Sequence, residues 1–171
     1  MKQLMVLVKY LDRVLAYSQR SILIIGSITV ITTISLEVVT RYCFGAPIWG
    51  MEEMTGHTAV WLYMIGAAYG TFDRSHIKAE FIHLIIKNPR ILRMFRVLTT
   101  CISTVVCCFM IVWSYNYVQW SLMRHEVTPA LRWPTVYFQI SILIGFILMA
   151  VYFVVEMVDL IRTPYVQRVE E

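Results

Sequence analysis

Four apolar stretches alternate with polar or basic connections along the chain, at about residues 22–40, 55–72, 97–117 and 135–155. A membrane helix needs about 20 residues to cross a hydrocarbon core of roughly 30 Å, and each stretch is close to that length. Only the first contains a charge, Glu37, and it lies near the end of the stretch. Before it, residues 1–20 place Leu4, Leu7, Val8, Leu11, Val14 and Leu15 at helical spacing, with Lys2, Lys9, Asp12 and Arg13 between them. This pattern predicts an amphipathic helix lying on the membrane surface. It does not read as a cleavable signal, because its basic and apolar residues are interspersed and no small-residue cleavage site follows. The expected architecture is a single all-α integral membrane domain over residues 1–171. It has four transmembrane helices plus amphipathic interfacial helices.

The connections carry the rest of the pattern. Gly45, Ala46 and Pro47 break the first helix, and Pro47 disfavours the α conformation at Ala46. Trp49 follows at headgroup depth, and Glu52 and Glu53 open the next helix, where carboxylates suit the positive end of the dipole. Glu37 and Arg41 stand four residues apart and share a helix face, so they can pair with each other or meet a partner. Gly66 and Gly70 form a GxxxG pair, which suits close packing within the chain or against another subunit. Residues 73–96 form a basic connection with a predicted interfacial helix at 80–86, ended by Asn88-Pro89. Arg90, Arg93 and Arg96 then line one face and can reach phosphate headgroups. Trp120, Pro129, Trp133 and Pro134 mark the last connection as a loop against the membrane.

Composition sharpens the class. The 171 residues are 58% hydrophobic and 15% charged, more apolar and less charged than a soluble domain. Twelve of the 15 Lys and Arg residues lie in the N-terminal segment, the 73–96 connection and the tail. Arg41, Arg124 and Arg132 alone lie in the other two loops. That split predicts both termini in the cytoplasm. Nucleic-acid binding is not expected, since the basic residues sit at span ends.

No catalytic residue, cofactor or metal site is expected. A haem held by two histidines needs them on facing spans, and only His57 lies in a span, while His76, His83 and His125 lie in loops. A disulfide oxidase needs cysteine pairs in the outer loops, which hold only Cys43. A stand-alone small transporter is the better rival. Such proteins carry ionisable residues or broken helices near the bilayer midplane, and the third and fourth stretches have neither.

Arg41-Tyr42-x-Phe44, Trp49, Glu52-Glu53, Trp61, Gly66-Ala67-Ala68 and His76-Ile77 occur in an order that resembles the small membrane subunit of TRAP transporters, the DctQ family. Thr128-Pro129-Ala130-Leu131-x-x-Pro134 resembles that family's second outer-loop motif. Two departures stand out. Gly50 and Met51 set the acidic pair three and four residues after the tryptophan rather than two and three, and Glu80 stands where aspartate is commoner. The resemblance implies three components: a soluble periplasmic protein that captures a carboxylate substrate, a large sodium-coupled membrane subunit, and this small subunit packed against it. It makes Arg41, Trp49, Glu52, Glu53, Trp61 and His76 docking or interface candidates, with Gly66 and Gly70 as helix-packing candidates. Ser27, Ser35, Ser103, Ser141 and Gly145 are further candidate packing positions.

Overall fold

A computed structural model of the chain describes residues 2–73 and 89–162. Within them are four helices: α1 (Lys2–Cys43), α2 (Met51–Phe72), α3 (Pro89–Arg124) and α4 (Val136–Arg162). The predicted interfacial helix at 80–86 and the candidate His76 lie outside the described residues.

The first helix corrects the expected N-terminus. Residues 2–20 are not a separate surface helix, because α1 runs without interruption for 42 residues. At about 1.5 Å per residue it is roughly 63 Å long, about twice a bilayer core. The physical reason is local: from Lys2 to Thr40 there is no Gly-Pro punctuation to end a helix, and the first break falls at Gly45 and Pro47. The amphipathic repeat of the leading segment is therefore the front half of the first long helix.

Among the described residues three segments are long and apolar enough to cross a membrane: Val14–Cys43, Arg93–Arg124 and Val136–Leu160. Helix α2 is long enough at 22 residues but is diluted by Glu52, Glu53, His57 and small residues. Its position explains how it tolerates this.

The helices pack as a row. Among the described residues α1 packs on α2, α2 on α4, and α4 on α3. The close approaches give the directions. Leu23 and Gly26 of α1 face Gly66 and Leu62 of α2, so this pair is antiparallel. Gly145 of α4 faces Met64 of α2, His57 stacks on Phe138, and Phe72 meets Tyr152, so the two central helices run parallel. Ser121 pairs with Thr135, and Arg93 donates to the Leu160 carbonyl at 2.9 Å, so α3 and α4 are antiparallel. The Arg93 guanidinium thereby meets carbonyls near the negative end of α4.

The two flanking helices share one logic. Covered positions on α1 include Ala16, Gln19, Leu23, Gly26, Val30, Thr33 and Glu37, at alternating steps of three and four. On α3 they include Thr100, Thr104, Cys107, Ile111, Ser114, Val118 and Ser121, at the same steps. A 3.5-residue repeat suits shallow, left-handed helix pairing. Most seam positions are small or polar, with Leu23, Val30, Ile111 and Val118 among them, whereas Ile24, Ile25, Ile28 and Ile31 and, on α3, Ile102, Val105 and Phe109 are exposed. Lipid is as apolar as isoleucine, so membrane helices gain by packing their small residues and leaving large aliphatics outside. The exposed hydroxyls of Thr29 and Thr32 return to their own helix carbonyls four residues back, so neither is left unpaired on the apolar side. The main apolar core lies among α2, α3 and α4, around Ala68, Cys107, Met149, Ala150 and Tyr152. One polar tie joins the first and last helices, where the Tyr152 hydroxyl donates to Gln19 Oε1 at 3.3 Å.

Candidate functional site

The loop end, where residues 44–50 meet residues 125–135, gathers most of the sequence-predicted residues. Its two loops are built differently. Helix α1 ends at Cys43, Gly45 takes a φ of 62°, and the Ala46 N–H returns to the Thr40 carbonyl at 3.2 Å. Gly50, at φ 79°, then turns the chain into α2. Glu52 and Glu53 fall in the first turn of α2, where the free N–H groups and the dipole favour a carboxylate.

Helix α3 ends differently. His125 sits at φ 49°, with its N–H to the Leu122 carbonyl and the Glu126 N–H to the Ser121 carbonyl. That bond pair is a Schellman stop, in which the left-handed residue satisfies the last helix carbonyls. The chain then folds onto itself. Thr128 N–H donates to the Trp133 carbonyl at 2.8 Å, Trp133 N–H donates to Thr128 Oγ1 at 3.1 Å, and Arg132 N–H donates to the Thr128 carbonyl at 3.1 Å. Closing this turn puts Arg132 at φ 53°. A left-handed backbone costs a residue other than glycine about 1–2 kcal/mol. Behind the turn, Ser121 and Thr135 hydroxyls share a 2.8 Å hydrogen bond, and Ser121 is fully buried.

Glu53 clasps the two loops together. Its Oε1 accepts the Ala130 N–H at 2.9 Å and its Oε2 accepts the Leu131 N–H at 2.8 Å. Trp49 Nε1–H donates to the Ala130 carbonyl at 3.4 Å. Leu131 rests on Gly50 so closely that a Cβ there would lie 2.6 Å from Leu131 Cδ2. Partial burial works against ionisation of Glu53. The backbone N–H groups of Ala130 and Leu131, the Thr128 hydroxyl and the charge of His57 outweigh it and hold the carboxyl below its usual 4.5. The ionised form is thus the one that closes the clasp.

The predicted residues therefore separate. Glu53 faces the second loop, whereas Glu52 is exposed. Arg41 is exposed in the last turn of α1, and no ion pair joins it to Glu37 among the described residues. Trp49 is 80% exposed despite its hydrogen bond. Trp61 lies one helix turn below His57 and lines a cavity of about 180 Å³ with Met54, His57, Thr58, Trp133 and Phe138. Gly66 faces Leu23 of α1, and Gly70 is part-buried on α2. Of the further packing positions, Ser141 and Gly145 are buried, Ser27 and Ser103 are half-buried, and Ser35 is exposed. Sequence reasoning named Gly145 as a packing position, and a Cβ there would lie 3.0 Å from Met64 Cβ; it missed two features, Leu131 against Gly50 and the strained turn at Arg132. The Thr-Pro-Ala-Leu motif marked the segment, but only the fold shows that its backbone N–H groups meet Glu53. Among the described residues no cluster of three or more His, Cys, Asp or Glu could hold a metal ion.

A row of long apolar helices closed at one end by a hydrogen-bonded loop pair defines a multi-pass membrane protein. Residues 29–163 match the family described as tripartite ATP-independent periplasmic transporters, DctQ component, and the chain belongs to that family. It is a small membrane component of a TRAP transporter. None of the curated proteins matches the chain.

Proposed function

We propose that this chain is the non-catalytic small membrane subunit of a sodium-coupled TRAP transporter for an organic acid, such as a C4-dicarboxylate or a sialic acid. It scaffolds the large transport subunit and helps to dock the periplasmic substrate-binding protein. The family match over residues 29–163 carries this reading. The chain sits in the bacterial inner membrane with both termini cytoplasmic, as the twelve-to-three split of Lys and Arg favours. Helix α2 is the fourth crossing. Its 22 residues span about 33 Å at helical rise, and its neighbours α1 and α4 shield it from lipid.

On this reading the loop end faces the periplasm, and Arg41, Trp49, Glu52 and Trp61 remain interface candidates with His76. Glu53 contributes by holding the loops in register. Small-residue faces that include Gly66 and Gly70 support packing of long helices without large side chains between them. Among the described residues the helices carry no Asp, Glu, Lys or Arg near mid-span, where an unpaired charge would cost at least about 2.5–3.5 kcal/mol.

Liposome uptake tests the reading. Driven by a sodium gradient, uptake of the organic acid should appear only when this chain, the large subunit and the binding protein are all present. Accumulation with this chain alone would overturn the assignment in favour of a stand-alone transporter. A stoichiometric haem absorption band would overturn it in favour of a redox subunit.

A further inference from the structure

The two connecting loops and the adjoining helix ends carry equal numbers of cations and anions: Arg41, Arg124 and Arg132 against Glu52, Glu53 and Glu126. The fold does not expose them equally. All three arginines are exposed, while Glu53 is partly buried in its bonds to Ala130 and Leu131 and Glu126 is partly buried beside Ser121. Only Glu52 stays exposed among the anions. The more exposed charges at this end are therefore the cations, although its sequence is balanced.

The three arginines are not equivalent. Arg41 and Arg124 lie in the last turns of α1 and α3, where a cation offsets the helix dipole, and Arg124 also covers the Trp120 ring at 4.9 Å. Arg132 has no such task. Its backbone closes the turn through its N–H, but its guanidinium has no partner among the described residues. Its φ of 53° is one that glycine adopts freely. A strained position filled by a long charged side chain with no internal contact points to a contact outside the chain. The turn fixes where that side chain starts, since Thr128 is held by Trp133 and the next two N–H groups by Glu53.

We propose that Arg132 is the residue by which this chain holds an acidic group on the soluble binding protein. The inference rests on the subunit reading above and adds the chemistry of the contact. Arginine suits this use because its planar fork meets a carboxylate with two parallel hydrogen bonds. The exposed guanidinium groups of Arg41 and Arg124 at the same end speed the approach of an acidic surface.

The experiment uses nanodiscs holding this chain with its large subunit, titrated with fluorescently labelled binding protein. Arg132→Gly should weaken binding about tenfold and Arg132→Glu further, since a lost interface charge contact acts on affinity. Arg132→Gly should leave the melting temperature unchanged or higher, which separates docking from folding. Glu52→Gln should tighten binding, because it removes the exposed anion. Rising salt should weaken wild-type binding more than Arg132→Gly binding. Wild-type affinity retained by both Arg132 variants would overturn this proposal and leave the subunit reading standing. A defect that vanishes in purely zwitterionic lipid would also overturn it, assigning Arg132 to anionic headgroups. Failure of the wild-type chain to join a large subunit or bind any binding protein would overturn the subunit reading itself.

Discussion

Helix α1 turns Ile24, Ile25, Ile28 and Ile31 outward and keeps Gln19, Gly26, Thr33 and Glu37 toward its neighbour. Helix α2, one place further in, is less apolar yet better covered, with Ile65, Ala68 and Thr71 buried. None of the most apolar window of α1 is buried within the chain. In water this ordering would be reversed, since burial of apolar area is what folds a soluble helix. In lipid the apolar face gains nothing by leaving its surroundings, and contact energy comes from close approach and hydrogen bonds. Small size marks where helices touch, and apolarity does not fix a helix's place, since α4, the most apolar span, lies inside the row.

The largest expected effect tests the contact rule directly. At Gly145 a Cβ would sit 3.0 Å from Met64 Cβ and 3.3 Å from the Met64 carbonyl oxygen. Gly145→Leu should therefore push α2 and α4 apart and destabilise the protein by about 3 kcal/mol, the upper end of ordinary overpacking. Thermal unfolding in detergent micelles would read it, and a melting temperature equal to that of the wild type would break the comparison.

Next comes the loop end. Gly50→Ala adds a side chain at φ 79° and against Leu131, so a loss of about 1–2 kcal/mol is expected from the backbone alone. Gly56→Ala, where a Cβ meets nothing within 4 Å, is the matched control and should not destabilise.

Glu53→Gln should lower the melting temperature at neutral pH by a smaller amount, because an amide cannot accept two charge-assisted N–H bonds. The pH dependence has a definite sign. A carboxyl whose folded pKa lies below 4.5 gives its full stabilisation above that value and loses it as the pH falls through and below it. The gap between wild type and Glu53→Gln should therefore stay constant above pH 4.5 and close below it. A gap that widened on acidification would show that the protonated form holds the clasp.

The smallest effect belongs to the outer face of α1. Ile31→Ala, at a position 65% exposed in the chain, should change the melting temperature by less than the equivalent of about 0.5 kcal/mol. A large loss there would mean that α1 is covered in the isolated chain, for instance by a second copy.

Much of this was legible from sequence, and for a physical reason. The length of the apolar runs is set by the bilayer's thickness, so the runs at about 22–40, 97–117 and 135–155 fall inside α1, α3 and α4. The N-terminal repeat was harder to read. An amphipathic pattern can describe a surface helix or one end of a longer helix, and nothing between Arg20 and Ser21 separates the two. Glu53 was legible as a helix-start residue. Its bonds to Ala130 and Leu131 were not, because they join segments far apart in the chain and use backbone groups that every residue has. Arg132 was invisible for a similar reason, since its strain is a property of the turn around it.

The separation between Glu53 and its donors, 77 and 78 positions along the chain, also bears on how the protein is made. When the ribosome has delivered α1 and α2 to the membrane, the N–H groups that will receive the Glu53 carboxylate have not yet been synthesised. They arrive just ahead of α4. Until then Glu53 can be satisfied only by water, and Gly50 has no Leu131 above it. A chain halted after α3 keeps three helices but leaves this end open. Closing of the clasp thus waits for the segment between α3 and α4.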